Sequence, residues 1–381
     1  MTSPLGIYEE EYPNNLHPLS LLSPIFDLRF GFRTILSKLR NFFGDPRYFL
    51  VPERFKPLIE KRFGKDVFKV EERILLINSS LRPSKYSVVA EIKEGQAVFQ
   101  GGSFVACRGK IRGDLSRRSM KAQGFEILEG RGLLIEGPWE LIEGLKEGLR
   151  GTGIIYGRNV KIEEPVYLDL TEGPILIADE VRIEAFTRIS GPAYIGRRSA
   201  IHSARINPYT FIGDVCRVGG EVEFSIIEPY VNKAHFGYVG HSYISSFTNL
   251  GAGTTTSDLK NTYGTVRVKH LGRRVDTGLV KLGSFISHHV KTSINSSIYS
   301  GKKIGAMSHV HGLVNEDVPP FMIYGKNVGL GVKELLLESA IKTAERMKKR
   351  RGLELSREEE YLIRISFEIS KAERNSYIES S

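Results

Sequence analysis

Isoleucine recurs in unbroken six-residue steps at Ile177, Ile183, Ile189, Ile195 and Ile201. The ladder slips by one, resumes at Ile206, Ile212 and Val218, and shows again at Ile244 and Leu250. Gly often follows a ladder residue, as in Ile195-Gly196, Ile212-Gly213 and Leu250-Gly251. A helix needs a period near 3.6 and a strand alternates every second residue, so neither alone explains this spacing. It fits short strands joined by tight turns and stacked as a parallel β-helix, with each ladder residue pointing into one narrow core. Ordinary hairpins would reach such regularity only by chance.

The ladder is missing from the first 148 residues, where the pattern is mixed. Leu36, Leu39 and Phe43 sit at helical spacing within Thr34 to Phe43. Ile74 to Asn78, Ala97 to Phe99 and Phe104 to Cys107 read as short buried strands, and Pro138 suits the first position of a helix ending near Gly148. Alternating strands and helices imply a small α/β domain. After the ladder, Thr254 to Arg274 is polar and reads as a long protruding loop, of the kind that carries function on rigid scaffolds. Two helices are expected at the end. One runs from Val332 to Arg350 with Leu335, Leu336, Ala340 and Met347 on its apolar stripe; the other runs from Ser356 to Arg374 with a Ser356/Glu359 capping box. The expected division is an α/β domain over 1–148, a β-helix over 149–325 and a helical tail over 326–381.

Composition narrows the function classes. The net charge is +10, with basic residues gathered in the N-terminal third and around Arg108 to Lys121. This favours anionic ligands, but no helix-turn-helix, RNA-binding or zinc-finger pattern accompanies it, so no nucleic-acid partner is expected. Apolar runs are too short to span a bilayer, and Met1 to Asn15 is too acidic and polar for a signal peptide, which suggests a cytoplasmic protein. Cys107 and Cys216 make neither a metal spacing nor a disulfide framework, so no metal site is expected from them.

The densest polar cluster is Asn232-Lys233-Ala234-His235-Phe236-Gly237-Tyr238, followed by Asn249-Leu250-Gly251-Ala252-Gly253. These segments resemble the acetyltransferase half of the bifunctional N-acetylglucosamine-1-phosphate uridyltransferase/glucosamine-1-phosphate N-acetyltransferase family. That family has a Lys-Ala-Gly-His segment, a Tyr three residues after the His, and an Asn eleven residues after the Tyr. Here one residue fewer separates Ala234 from His235. A wider resemblance, over about residues 15 to 320, is to the divergent sugar nucleotidyltransferases of that family. It rests on His17-Pro18-Leu19, Arg29-Phe30-Gly31, Gly219-Gly220-Glu221-Val222, Ser257-Asp258-Leu259-Lys260-Asn261 and His289-Val290-Lys291-Thr292-Ser293-Ile294-Asn295.

The resemblance implies a left-handed β-helix, a homotrimer, acetyl-CoA as cosubstrate and a phosphorylated amino sugar or nucleotide sugar as partner. It implies His235 as the base that takes the amine proton. Lys233, Tyr238, Asn249 and Asp258 become substrate contacts, with Lys233 on the phosphate, and Ala252 meets the acetyl group and pantetheine arm. From the residues themselves, Lys291 and Asn295 are expected to contact the cofactor or a neighbouring subunit, and Arg29 to bind substrate phosphate or to flank a helix at the surface. Asp258 stands where the family has an Asn. The leading expectation is N-acetyl transfer to a glucosamine-1-phosphate-like acceptor on the route to UDP-N-acetylglucosamine. The runner-up is nucleotidyl transfer by the first domain, of the UDP-N-acetylglucosamine diphosphorylase or glucose-1-phosphate thymidylyltransferase type. That reaction would need Mg2+ and a Gly-rich triphosphate loop, and no such loop is found. The third expectation is a trimeric scaffold without chemistry.

Overall fold

The computed structural model describes residues 3–380. They form two compact units. The first comprises 3–16, 23–29 and 33–137, and the second comprises 17–22, 30–32 and 138–380. The division therefore falls ahead of Trp139, and the short helix Trp139–Glu143 belongs with the second unit.

The first unit is built on a six-stranded mixed sheet. Across it run Pro46–Leu50, Leu5–Tyr8, Ile74–Asn78, Ser103–Gly109, Gln96–Gln100 and Glu126–Glu129. Leu5–Tyr8 pairs in parallel with both its neighbours, and Ile74–Asn78 is buried along its whole length, as a central strand covered on both faces must be. The expected helix is present as Ile35–Phe43, with Thr34 Oγ1 accepting from the Ser37 backbone N–H at 3.1 Å.

The second unit is a parallel β-helix. Its strands stack into three faces, each a column of parallel pairs. One face stacks Ile154–Tyr156, Ile175–Ile177, Ala193–Ile195, Thr210–Ile212, Ile226–Ile227, Tyr243–Ile244, Phe285–Ile286 and Lys303–Ile304. All ten ladder residues named above lie in one buried core cluster, each at most 2% exposed. Burying an aliphatic side chain of this size contributes roughly 1.5–3 kcal/mol, so the ladder is the main cohesion of the solenoid. The one-residue slip between Ile201 and Ile206 is a register irregularity between His202 and Arg205, where strand Ala200–Ile206 bends round a corner.

Each coil turns at corners where one residue takes a left-handed conformation. At one corner these residues are large: Tyr230, Phe247 and His289, with φ of 66°, 59° and 60°. Their rings stack in file at 4.8 and 5.0 Å, which offsets the unfavourable backbone. His289 is thus a stacking residue.

Three elements differ from the expected ones. The polar stretch after Thr254 contains a β-hairpin, Arg267–His270 with Arg273–Asp276. The helix expected from Val332 starts at Leu337 because Gly331–Glu334 instead pairs antiparallel with Met322–Gly325. Its buried face is Ala340, Ile341, Ala344 and Lys348, while Leu336 is exposed. The final helix breaks at Ser370 into Arg357–Ile369 and Lys371–Glu379, and the Ser356/Glu359 capping box is present. The segment 17–22 threads onto this unit. Ser287 Oγ donates to the Pro18 carbonyl at 3.0 Å and Ser366 Oγ to the Leu21 carbonyl at 3.3 Å.

Candidate active site

The residues nominated by the sequence are dispersed over four settings. Lys233 pairs with Val218, itself a ladder position, so its side chain points inward like Ile201 and Val218. Its ammonium donates to the carbonyls of Gly219 at 2.6 Å, Gly237 at 2.8 Å and His235 at 3.3 Å. Burial pushes its pKa down to about 8. An amine enclosed by three carbonyls has no donor left to offer, so Lys233 is a structural plug and not a phosphate contact. Lys291 is similar: it donates to the carbonyls of Phe247 and His289 at 3.0 and 2.7 Å, and burial pushes its pKa down to about 7. Two of its three ammonium protons are committed to backbone.

Asn249 lies one coil above Lys291 on the same face, where its Oδ1 accepts from Asn232 Nδ2 at 2.9 Å. His235, Ala252 and Asn295 line a different corner. The Phe236 carbonyl accepts from the Gly253 N–H at 3.0 Å, and the Ala252 carbonyl accepts from the Asn295 N–H at 2.7 Å. His235 is exposed, and its ring makes no hydrogen bond among the described residues. Arg29 belongs to the first unit, in the two-residue strand Arg29–Phe30.

Tyr238 and Asp258 do come together, and they bring partners that the sequence reading missed. Asp258 Oδ2 lies 2.7 Å from His241 Nδ1 and 2.8 Å from the Tyr238 hydroxyl. The hydroxyl is also 3.1 Å from Glu223 Oε2, and Glu223 Oε1 is 3.2 Å from Lys281 Nζ. The His241 and Asp258 side chains are only 12% and 11% exposed. The local chain explains the convergence. Strand Tyr238–Gly240 pairs with Glu221–Glu223 on the preceding coil, and the chain turns at His241, with φ of 46°. The Tyr238 ring folds back over Gly240, where a Cβ would come within 2.1 Å of the hydroxyl and 2.7 Å of Asp258 Oδ2. Only glycine leaves that space.

The electrostatics are internally consistent. Burial works against the Asp258 charge, but hydrogen bonds from His241 and Tyr238 and the positive charge of Lys281 outweigh it and hold the carboxyl below the usual range. Burial, and then the same carboxylate and Glu223, push the Tyr238 phenol well up, so it stays protonated. An ionised Asp258 against Nδ1 selects the Nδ1–H tautomer and leaves Nε2 as the basic nitrogen. The His241 ring plane is fixed by stacking on Phe224 at 4.9 Å and 13°. An imidazole held by a carboxylate on one nitrogen and open on the other is the arrangement of a general base. The signal was present in the sequence: His241 and Asp258 are seventeen residues apart, as are Tyr230 and Phe247, which stack on adjacent coils.

The chain is similar in sequence to several known proteins. Residues 5–151 match the family model described as sugar nucleotidyl transferase. A bifunctional sugar-1-phosphate nucleotidylyltransferase/acetyltransferase of Sulfurisphaera tokodaii is 35% identical over 196 residues, covering 50% of this chain and 48% of that protein. A bifunctional protein GlmU of Methanococcus aeolicus is 28% identical over 264 residues, 66% of this chain and 56% of its own. The chain thus spans about half the length of the curated relatives it matches. Among solved structures, the Francisella novicida UDP-N-acetylglucosamine acyltransferase is similar at 18% identity with a TM-score of 0.29, over 54% of this chain and 74% of that one. By its sequence the chain is similar to the GlmU-like bifunctional proteins over part of their length, and the sugar nucleotidyl transferase model matches residues 5–151.

Proposed function

We propose that the second unit is an acyl-CoA-dependent N-acyltransferase, with acetyl-CoA as donor and an amino-sugar phosphate or nucleotide sugar as acceptor. The observation that carries this reading is the His241–Asp258 pair, 2.7 Å apart on one corner of the β-helix. The acceptor nitrogen attacks the thioester carbonyl carbon and its proton passes to His241 Nε2. The tetrahedral intermediate collapses, the carbon–sulfur bond breaks, and the thiolate leaves and is protonated. The products are the amide and free CoA thiol. Asp258 holds the tautomer and stabilises the imidazolium, and the acceptor reacts as the neutral amine. Assigning the base to His241 departs from the family resemblance, which nominates His235.

The assembly reading is a homotrimer. Phe186, Phe236 and Ile294 are 79%, 70% and 68% exposed along the His235 corner, a line of apolar surface suited to a neighbouring subunit. In that arrangement His235, Ala252 and Asn295 border the interface. Sedimentation at micromolar concentration tests this, and a monomer counts against it.

The test of the main reading is thiol release from acetyl-CoA with a panel of amino sugars, phosphorylated and not. Transfer to at least one amino sugar that depends on His241 is expected. An absence of transfer to every amino sugar in the panel overturns the reading. A second reading, nucleotidyl transfer by the first unit, is favoured by the family match over 5–151. Its test is pyrophosphate release from a nucleoside triphosphate and a sugar-1-phosphate in the presence of Mg2+.

A further inference from the structure

Beside the His241–Asp258 pair, on the next coil, lies a cavity of about 370 Å³ whose rim is cationic. Lys260, Arg267, Arg274 and Lys302 converge on it, with Tyr299 and Ser300 completing the wall. Arg267 has a carboxylate partner, Asp276, at 3.4 Å. Among the described residues Lys260, Arg274 and Lys302 form no ion pair. Four like charges around one hollow repel each other, and an anion relieves that repulsion.

The cavity is built rather than incidental. One wall is the hairpin 267–276, clamped to the solenoid by Lys303, whose buried ammonium donates to the Lys269 carbonyl at 2.6 Å and lies 2.9 Å from His270 Nδ1. His270 stacks edge-on against Trp139 at 5.3 Å. Val266 and Val268 pack down on Gly301, where a Cβ would lie 2.8 and 3.0 Å from their methyl carbons.

The cavity also abuts the candidate active site. Ser300 Oγ on its wall is 3.3 Å from Ser257 Oγ, and Ser257 precedes Asp258. Thr255 and Thr256 pair in parallel with Ser297 and Ile298, so the strand leading to Asp258 lies next to the strand leading to Tyr299 and Ser300. The face therefore presents carboxylates, Glu223 and Asp258, at one point and cations at the next. That pattern is complementary to a molecule with an ammonium at one end and a phosphate at the other.

We propose that this cavity binds the phosphate of the acyl acceptor while its amine sits at His241, an assignment that rests on the acyl-transfer reading. An amino-sugar phosphate can carry amine and phosphate on neighbouring ring carbons, which suits sites that adjoining strands supply. CoA is the other source of phosphate, but its thioester is removed from its phosphates by the extended pantetheine arm. Lys260, Arg267, Arg274 and Lys302 thus take the role that Lys233, enclosed in the core, cannot.

The experiment uses the full chain and the variants Arg274→Ala, at an exposed position, and Lys302→Ala, at a half-buried one. Calorimetric titration with glucosamine-1-phosphate, glucosamine, inorganic phosphate and CoA is run beside acyl-transfer kinetics. The expected result is a loss of about tenfold or more in affinity for the sugar phosphate, a matching rise in its KM, and no change for unphosphorylated glucosamine or for CoA. Weakened CoA binding with unchanged sugar-phosphate binding overturns the proposal. So does an unchanged affinity for the sugar phosphate in both variants. If the parent binds the sugar phosphate through Arg274 and Lys302 but transfers no acyl group, the cavity stands and the acyl-transfer reading falls. If transfer proceeds with an unaltered acceptor KM in both variants, the cavity assignment falls alone.

Discussion

Two histidines six residues apart occupy successive corners of the same coil and meet opposite surroundings. His235 projects from a corner lined by exposed Phe236 and by Ala252, and no hydrogen bond holds its ring among the described residues. His241 is packed against Phe224, bonded to Asp258 and mostly buried. The difference comes from what the neighbouring coils bring. At the His241 corner, adjacent coils contribute Glu223 and Asp258; at the His235 corner, they contribute glycines and Ala252. In a solenoid each coil supplies one residue to a corner. Chemistry therefore gathers where polar side chains coincide at the coil period, and a histidine alone on its corner lacks an orienting partner.

The largest expected effect on this contrast comes from Asp258→Asn. The amide removes the charge that selects the Nδ1–H tautomer of His241. Acyl transfer should fall by roughly a hundredfold or more, the lower range of what a positioned proton acceptor is worth, with the fold intact by circular dichroism. A parental rate would mean that Asp258 does not orient the base. Gly240→Ala should act on the same corner by a different route, displacing Tyr238 from above the glycine. The expected loss is also large, and Tyr238→Phe should not rescue it, because the ring carbon that bears the hydroxyl would itself lie 2.4 Å from the new Cβ and Asp258 Oδ2 2.7 Å from it. A parental rate in Gly240→Ala would show that the ring need not sit over the glycine.

A second group of predictions concerns the interior lysines, which separate structural from functional polarity. Lys233→Met leaves three carbonyls without their donor, and should destabilise the chain by about 1.5–3 kcal/mol, read as a lowered denaturation midpoint. Lys233, Lys291 and Lys303 have folded pKa values pushed down by burial to about 8, about 7 and about 8. In the unfolded chain a lysine titrates near ~10.4. Between about pH 7 and pH 10 the unfolded state therefore holds more protons on these amines, and their contribution makes stability rise with pH. Replacing Lys291 by Met should flatten the lower part of that rise. A pH profile unchanged by the substitution would show that Lys291 titrates alike in both states. The smallest effect is Tyr238→Phe alone, about tenfold at most, the worth of a single hydrogen bond of about 1 kcal/mol.

The fold was legible to the extent that it depends on period. One narrow core accepts one inward residue per short strand, so the six-residue isoleucine steps report directly on the solenoid. The capping box at Ser356 and the helix over Ile35–Phe43 were legible because their signals are local. The hairpin 267–276 was hidden because its faces are charged and its apolar contacts, Val266 and Val268, are few. Lys233 was misassigned because residue type was weighed over register: it occupies a ladder position, which requires its side chain to point inward. His241 was passed over for a related reason. Its partner lies one coil away, and proximity of that kind appears only when the chain is read in steps of the coil length.

The most direct test is single-turnover acyl transfer by His241→Ala and His235→Ala, measured side by side with saturating acetyl-CoA and the parent's best amino-sugar acceptor. A geometry in which only His241 is held predicts a loss of about a hundred- to ten-thousand-fold for His241→Ala and a much smaller loss for His235→Ala. The reverse order, with His241→Ala near the parental rate and His235→Ala nearly inactive, would contradict it.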